Sequence, residues 1–440
     1  MSRDDRVRTP IDTAFLLARA GMLPSRVADA PASRRKFLSG LLAGAGSLAL
    51  TACGGGGGSA GASGAGASTS PNTSASSNPS STSTNTSSAN STGTTTASDS
   101  TTGSSGTQNT SGTTTTSGTS GTSGTSSPPA TSFFYGMNGH MAYTSGVYAT
   151  VTPAEQLALL QDLGVTNYRA DVYDQNDAQL LANILTGAFA NSGVSILPCM
   201  LPVYLNQSGT ETDAYNLGFQ LAVSVATPLK GLVKYIECGN ELDAGGLVST
   251  PPGNSFADFN PAYWPAYRGV IRGMIDGVKS VDPTIQCGID VGVPLAYPAL
   301  QMLWNGITPD GSSNGVSGAT PVRWDVTMYH WYESSGDIQG AGANGNINVL
   351  EILAQSFGLP IWLTEWGFVP SDSAAGQASY VTGRLNEYYS VRSQYNLQSI
   401  MMYELISAAS SDDFGLIETD GTTKRLAYTA FKNFTAAHPV

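Results

Sequence analysis

The feature that most constrains the fold is a regular alternation of strand and helix, which begins near residue 133 and continues to the C-terminus. Short apolar runs alternate with amphipathic stretches, an order that is typical of βα units. The predicted strands are 133–138, 166–172, 194–200, 233–238, 285–291, 324–330, 360–364 and 397–403. The predicted helices are 153–163, a segment ending near 191, 214–225, 263–281, 297–304, 349–357, 375–395 and 426–437.

Eight strands, each followed by a helix, predict an α/β fold class and a (β/α)8 TIM barrel over residues 132–440. That span is long enough for one large α/β domain without a division. A doubly wound sheet is the alternative fold. It is less favoured because no Gly-rich phosphate-binding turn follows the first predicted strand.

Residues 54–131 have a different composition, dominated by Gly, Ser, Thr, Ala and Asn, with no apolar periodicity. Such a segment buries too little apolar surface to offset the entropy of ordering, so it is predicted to be a disordered linker. As a flexible coil it would have a root-mean-square reach of roughly 50 Å.

Residues 1–53 are predicted to be an export signal. Arg34-Arg35-Lys36 precedes an apolar run, 41–52, that is far shorter than a membrane span. The paired arginines resemble a twin-arginine signal, and the run ending in Cys53 resembles a bacterial lipobox. This resemblance implies a lipid anchor on Cys53 and a location at the outer membrane, the periplasmic face or the cell surface. A plain secretory signal with an accidental cysteine is the alternative.

The charge of the chain limits the partner classes. The formal net charge is -12, and removal of the first 53 residues, with eight of the 20 basic and four of the 32 acidic side chains, leaves about -16. A nucleic-acid partner is therefore not expected. Cys199, Cys238 and Cys287 fall within predicted strands, which favours buried free thiols, with a disulfide between two of them as the alternative.

Two carboxylates stand where predicted strands end. The fourth strand leads into Glu241 and the seventh into Glu365. Active sites of TIM barrels lie at the C-terminal ends of the strands, and strands four and seven face each other across the ring. One protonated and one ionised carboxylate are what glycosidic cleavage requires, and two like charges in one cleft separate their pKa values.

Asn240-Glu241 and Glu365 at these strand ends resemble the retaining glycoside hydrolases of clan A, especially families 39 and 5. The resemblance implies that Glu241 is the acid/base, that Glu365 is the nucleophile and that Asn240 binds the sugar 2-hydroxyl. It also implies cleavage of a β-glycosidic bond in a polysaccharide or oligosaccharide. No cofactor and no metal are implied.

Other residues extend the resemblance. His330-Trp331-Tyr332 matches the family's His-x-Tyr on strand six, so Tyr332 would hold the nucleophile and His330 would line the subsite beside it. Arg169 matches the arginine that is common at the end of strand two, close to the nucleophile, so the resemblance also makes it a candidate for substrate binding. The aromatic platform on strand eight is usually Trp in the family, and the nearest residue here is Tyr403.

Further side chains are interpreted from position alone. Asn138 and His140, after the first strand, are candidates for sugar binding. Trp331, Trp366 and Tyr204 are candidates for stacking on sugar rings, with ordinary core packing as the alternative, whereas Trp264 is expected in the core. Glu237 is expected to make a structural hydrogen bond deep in the barrel, and Glu404 to support the site from outside or to be solvated.

Other functions would need residues that differ from those found here. A metal-dependent hydrolase is disfavoured because the chain has only three histidines, one of them near the C-terminus. A non-catalytic polysaccharide-binding lipoprotein on the same barrel is the alternative function. Endo action on a polymer near the membrane and exo action on chain ends both remain open, and a monomer is the expected oligomeric state.

Overall fold

The computed structural model describes residues 132–311, 320–369, 373–409 and 413–440. The predicted signal segment 1–53, with Cys53, and the predicted linker 54–131 lie outside the described residues. Among the residues that are described, no helix is long and apolar enough to cross a membrane.

Eight parallel strands close into a barrel in the order of the sequence, and β1 pairs with β8. The strands are β1 Tyr135–Gly139, β2 Asn167–Val172, β3 Ser195–Met200, β4 Tyr235–Cys238, β5 Gln286–Ile289, β6 Val326–His330, β7 Ile361–Trp366 and β8 Leu397–Met402. A closed ring of eight parallel strands confirms the predicted TIM barrel.

Nine α-helices accompany these strands within the described ranges. They are α1 Val147–Thr150, α2 Pro153–Asp162, α3 Gln175–Thr186, α4 Glu211–Leu229, α5 Trp264–Val281, α6 Tyr297–Asn305, α7 Val349–Phe357, α8 Ala374–Val391 and α9 Leu426–Ala437. Two 3₁₀ turns, Phe256–Asp258 and Glu333–Ser335, lie in the loops after β4 and β6. The short helix α1 was not predicted.

Local sequence explains several helix ends. Thr152 caps α2, its side chain and that of Glu155 form a capping box, and Pro153 occupies the first turn. Helix α4 starts three residues earlier than predicted because Thr210 caps it and acidic side chains occupy its first turn. These caps satisfy backbone N–H groups that would otherwise lack partners.

Helices α4 and α5 flank β4 in sequence and pack closely against each other. A Cβ atom on Gly269 would lie 2.3 Å from the Glu211 carbonyl oxygen, and one on Gly273 would lie 2.1 Å from that of Tyr215. Only glycine allows this approach.

The barrel interior is apolar at one end and polar at the other. The apolar end is filled by Leu197, Tyr235, Val326, Met328, Trp362 and Met401. Toward the C-terminal end of the strands, Arg169, Glu237 and His330 replace them, all buried. The functional groups therefore lie next to a layer of packed apolar side chains, in agreement with the layered interior of TIM barrels.

Strand β7 is irregular where it carries Glu365. Its pairing with β8 shifts register between Leu363 and Trp366. As a result Thr364 and Glu365, which are consecutive, both reach interior groups: Thr364 donates to Glu237 at 2.8 Å and Glu365 accepts from Arg169 at 2.8 Å. Bulges of this kind re-aim side chains and are frequent beside active sites.

Candidate active site

Arg169, at the middle of β2, joins the two halves of the site. Its guanidinium donates to Glu365 Oε1 at 2.8 Å, to Asn138 Oδ1 at 3.0 Å and to Asn240 Oδ1 at 2.7 Å. It also forms an ion pair with Glu237. A buried arginine with this many carboxylate and amide acceptors is oriented in one way only, and so it fixes the positions of its partners.

Glu365 is held by two donors. The hydroxyl of Tyr332 donates to its Oε2 at 2.5 Å and Arg169 donates to its Oε1. The side chain is 0% exposed. A positive charge and a hydroxyl donor both stabilise the ionised form of a carboxyl group. Both contacts therefore favour the carboxylate form of Glu365.

Glu241 lies just beyond β4 and differs in both backbone and surroundings. Its φ of 49° is in the left-handed region, which is uncommon for a residue with a side chain. The side chain is 18% exposed, and its Oε1 lies 2.9 Å from His330 Nδ1. One carboxylate oxygen of Glu241, one of Glu365 and a ring nitrogen of His330 all lie within 4.8 Å of one another.

His330 stands between the two carboxylates. Nδ1 is 3.6 Å from Glu365 Oε2, and Nε2 is 3.3 Å from Asp290 Oδ2. Burial alone would lower the pKa of His330, but Glu365, Asp290 and Glu241 outweigh it and raise that pKa to about 9. At neutral pH His330 is a buried imidazolium surrounded by carboxylates.

Asp290, the residue directly after β5, was not among the predicted site residues. Burial raises the pKa of Asp290, and the neighbouring His330, 3.3 Å away, acts against that rise. The sequence does contain an indication of Asp290: it is a carboxylate at the end of a predicted apolar strand, as Glu241 and Glu365 are. Sequence reasoning had no means of knowing that it would contact His330.

A second buried histidine, His140, occupies the corner between β1, β2 and β8. Its Nδ1 lies 2.8 Å from Asp171 Oδ2, and its Nε2 lies 3.2 Å from both Glu404 Oε2 and the Tyr403 hydroxyl. The ring stacks on Tyr143 with centroids 4.4 Å apart. Burial opposes protonation, but Asp171 and Glu404 raise the pKa of His140 to about 10. Asp171 was not singled out from the sequence.

Two groups have donor sets that resemble metal sites, namely Glu237 with Asp290 and His330, and Glu241 with His330 and Glu365. Arg169 contacts Glu237 and Glu365 directly, and His330 carries a proton at neutral pH. The positive charge that these carboxylates need is therefore supplied by side chains of the chain itself.

Comparisons with known proteins agree with the fold. No protein-family model and no curated protein sequence matches the chain. Among solved structures, the AHE enzyme from Alicyclobacillus herbarius superposes with a TM-score of 0.54 at 12% identity, and the match covers 71% of this chain and 98% of that one. The virulence factor SghA from Agrobacterium tumefaciens gives a TM-score of 0.51 at 12% identity, with 70% and 98% covered.

A β-glucosidase from Thermotoga maritima, solved with azafagomine, gives a TM-score of 0.50 at 12% identity, again with 70% and 98% covered. The chain therefore shares the TIM-barrel fold of β-glucosidases. At this level of identity the likeness concerns the fold, and the activity has to be argued from the site itself.

The interpretation of two tryptophans as sugar platforms is wrong. Trp366 is 0% exposed and packs on the outside of the barrel against Tyr388 and Phe431. Its ring contacts with helices α8 and α9 show that Trp366 turns away from the interior that Glu365 faces. Trp331 is likewise buried, and its ring nitrogen donates to the Gly336 carbonyl at 2.9 Å.

Asn138 is also reassigned. Its amide nitrogen donates to the backbone carbonyls of Thr364 and Met401 at 2.8 and 3.1 Å, and its oxygen accepts from Arg169. Those bonds occupy the side chain, which supports Arg169 and does not bind sugar. Glu404 is 0% exposed, so it is not solvated.

Several expectations are confirmed. Glu237 is buried and makes structural bonds with Arg169 and Thr364. Trp264 lies in the core, as expected. Tyr204 is exposed in the loop after β3, and its role in stacking on a sugar ring stays a prediction. The three cysteines in the strands are free and buried.

Proposed function

We propose that the chain is a retaining glycoside hydrolase that cleaves β-glycosidic bonds, with Glu241 as acid/base and Glu365 as nucleophile. The observation that carries the proposal is the separation of the two carboxylates, whose nearest oxygens are within 4.8 Å. Retaining enzymes place the two groups about 5–5.5 Å apart, whereas inverting enzymes need about 6.5–9.5 Å to admit a water molecule.

The surroundings of the two residues support the division of roles. Glu365 contacts Arg169 and Tyr332, which favour the carboxylate that a nucleophile must be. Glu241 is the more exposed of the two, with 18% of its side chain exposed against 0% for Glu365, and its carboxyl contacts His330. It is the group that can exchange a proton with solvent and with the leaving oxygen.

The reaction then follows in two displacements. A Glu365 oxygen attacks the anomeric carbon while the glycosidic bond breaks, and Glu241 donates its proton to the departing oxygen. The resulting glycosyl ester on Glu365 is attacked by water, whose proton returns to Glu241. The sugar leaves with its original configuration, and Glu365 is again a carboxylate.

Neighbouring side chains support these steps. Asn240, oriented by its bond from Arg169, is placed to bind the sugar 2-hydroxyl, as the resemblance to families 39 and 5 implies. His330 lies between both carboxylates and fixes the Glu241 carboxyl. Tyr403 packs between Tyr332 and His140 and is proposed to line the same subsite.

The substrate is proposed to be a β-linked polysaccharide or oligosaccharide, and the working state a monomer. Export as a lipoprotein with its lipid on Cys53 would place the barrel on a long tether near polymer at the membrane. The change Cys53→Ala in the producing cell should move the chain from the membrane fraction to the soluble fraction. A chain that stays in the membrane fraction would contradict the anchor.

The test of the activity is release of reducing ends from β-glucans, xylans, mannans, galactans and bacterial exopolysaccharides. Glu241→Gln and Glu365→Gln are measured beside the unchanged chain, with Glu404→Gln as a buried carboxylate control. Release should fall by at least ~100-fold in the first two variants. Equal release by all forms would contradict the assignment, and binding of a polymer without turnover would favour the non-catalytic lipoprotein.

A further inference from the structure

The loops after β4 and β5 exchange hydrogen bonds through two buried aspartates. Asp290, after β5, accepts the backbone N–H of Glu241 at 2.8 Å. Asp243, in the loop after β4, accepts the backbone N–H groups of Gly292 and Val293 at 2.9 and 2.8 Å. Each loop thus contributes a carboxylate to the backbone of the other, and we call these bonds the β4–β5 clamp.

The clamp acts on a residue whose backbone needs support. Glu241 has a φ of 49°, a conformation that costs a residue with a side chain about 1 kcal/mol or more. Such a conformation persists only where surrounding bonds determine it. The bond from the Glu241 N–H to Asp290 is one such bond, and it is charge-assisted when the aspartate is ionised.

The same two loops also confine the Glu241 side chain. A Cβ atom on Gly292 would lie 2.4 Å from Glu241 Cγ, so the glycine backbone forms one wall against the glutamate. Asp243 holds that wall through the Gly292 N–H. On another side, His330 contacts the Glu241 carboxyl and lies 3.3 Å from Asp290. The backbone, the aliphatic part of the side chain and the carboxyl group of Glu241 are therefore all held by residues of this cluster.

We infer that Asp243 and Asp290 are positioning residues, which hold Glu241 in its left-handed conformation and aim its carboxyl at the leaving oxygen. Neither aspartate is assigned contact with the substrate. The inference rests on the proposed function, because it concerns how Glu241 delivers a proton. It predicts that loosening the clamp impairs proton donation more than it impairs sugar binding or nucleophilic attack.

The experiment compares two leaving groups on one sugar. Matched phenyl and 2,4-dinitrophenyl β-glycosides of glucose, xylose, galactose and mannose are hydrolysed by the full chain. The phenyl leaving group needs a proton and the dinitrophenyl group does not. Because kcat/KM reports the first displacement, its ratio between the two glycosides measures the acid alone.

Asp243→Asn loses one of the two N–H bonds that Asp243 accepts, and Gly292→Ala pushes against the Glu241 side chain while both aspartates are kept. Both variants should lower kcat/KM for the phenyl glycoside by roughly 10- to 100-fold and for the dinitrophenyl glycoside by less than about threefold. Asp177→Asn is the control, since Asp177 is a buried aspartate that also accepts a backbone N–H, that of Tyr173 after β2, and is not part of the β4–β5 clamp. Asp177→Asn should change kcat/KM for the two glycosides by the same factor.

An equal loss on both glycosides, or no loss, in Asp243→Asn and Gly292→Ala would overturn the positioning role. Glu241→Ala, measured in parallel, separates this failure from failure of the function. If Glu241→Ala shows the strong dependence on the leaving group and the clamp variants do not, only the clamp is wrong. If Glu241→Ala shows no such dependence, both the acid role and the clamp are overturned.

Discussion

Two buried histidines at the mouth of the barrel have nearly the same chemistry and very different neighbours. His330, at the end of β6, lies within 3.6 Å of Glu241, Asp290 and Glu365. His140, after β1, lies within 3.2 Å of Asp171 and Glu404. Both are imidazolium ions at neutral pH, because carboxylates raise their pKa values to about 9 and about 10.

The comparison shows that a shifted pKa does not by itself identify a reacting group. Structural ion pairs perturb titration as strongly as active sites do. What separates the two histidines is contact: His330 touches both carboxylates of the proposed chemistry, and the bonds described for His140 include neither of them. The His140 group is better understood as a rigid, ion-paired wall of the same mouth.

The largest expected difference between the two regions is in activity. His330→Asn removes the contact to Glu241 and should lower kcat by roughly 10- to 100-fold. His140→Asn should change kcat by less than about tenfold, with a larger share of its effect in KM. Steady-state kinetics on the polymer that responds in the panel measures both variants.

Both histidine variants remove a buried cation from the carboxylates that it contacts, so each should also lose about 3–5 kcal/mol of stability. Thermal unfolding checks that the two losses are similar. A fall in kcat for His140→Asn as large as that for His330→Asn would contradict the distinction between the two regions.

The second prediction concerns stability against pH. Because the folded-state pKa of His140 is raised from 6.5 to about 10, its stabilising contribution is fully present below pH 6.5 and is lost as the pH rises through about 10. Each such proton contributes a slope of about 1.4 kcal/mol per pH unit. For His330 the stabilising contribution is likewise fully present below pH 6.5 and is lost as the pH rises through about 9.

Denaturant unfolding between pH 6 and pH 10 measures this slope. His140→Asn should flatten the fall in the free energy of unfolding across the whole window, and His330→Asn only up to about pH 9. An unchanged slope in His140→Asn would mean that His140 is neutral in the folded chain. The wall beside β1 would then lack the ion pairs of His140 with Asp171 and Glu404.

The smallest expected effect on activity comes from a residue outside both regions. Trp366 follows Glu365 in sequence but packs against Tyr388 and Phe431 in the helix layer. Trp366→Phe should change kcat/KM by less than about twofold while lowering stability by about 1–3 kcal/mol. A large rise in KM with unchanged stability would return Trp366 to the list of sugar-binding residues.

Sequence predicts the barrel well because periodicity and strand order are local signals repeated eight times. It also predicts that Glu241 and Glu365 share one cleft, since position at a strand end determines the face of a TIM barrel. The bonds from Arg169 and Tyr332 to Glu365 agree with the positions that family resemblance gave them.

The remaining features depend on tertiary contacts that no local pattern encodes. The register shift between Leu363 and Trp366 determines which side chains of β7 face inward, and this shift cannot be predicted from the sequence of β7. Asp290 and Asp243 act through backbone N–H groups of another loop. Trp366 was misassigned because closeness in sequence to Glu365 was treated as closeness in space.

The most direct test of the central claim is covalent trapping of the nucleophile. The full chain is incubated with 2,4-dinitrophenyl 2-deoxy-2-fluoro β-glycosides of the four sugars named above. The fluorine slows both displacements, and the good leaving group lets the first proceed, so a glycosyl ester accumulates. Peptide mass spectrometry should find one fluoroglycosyl group on Glu365 and none in Glu365→Gln. A label on Glu241 or elsewhere, or turnover of the parent glycosides without any trapped ester, would contradict the account.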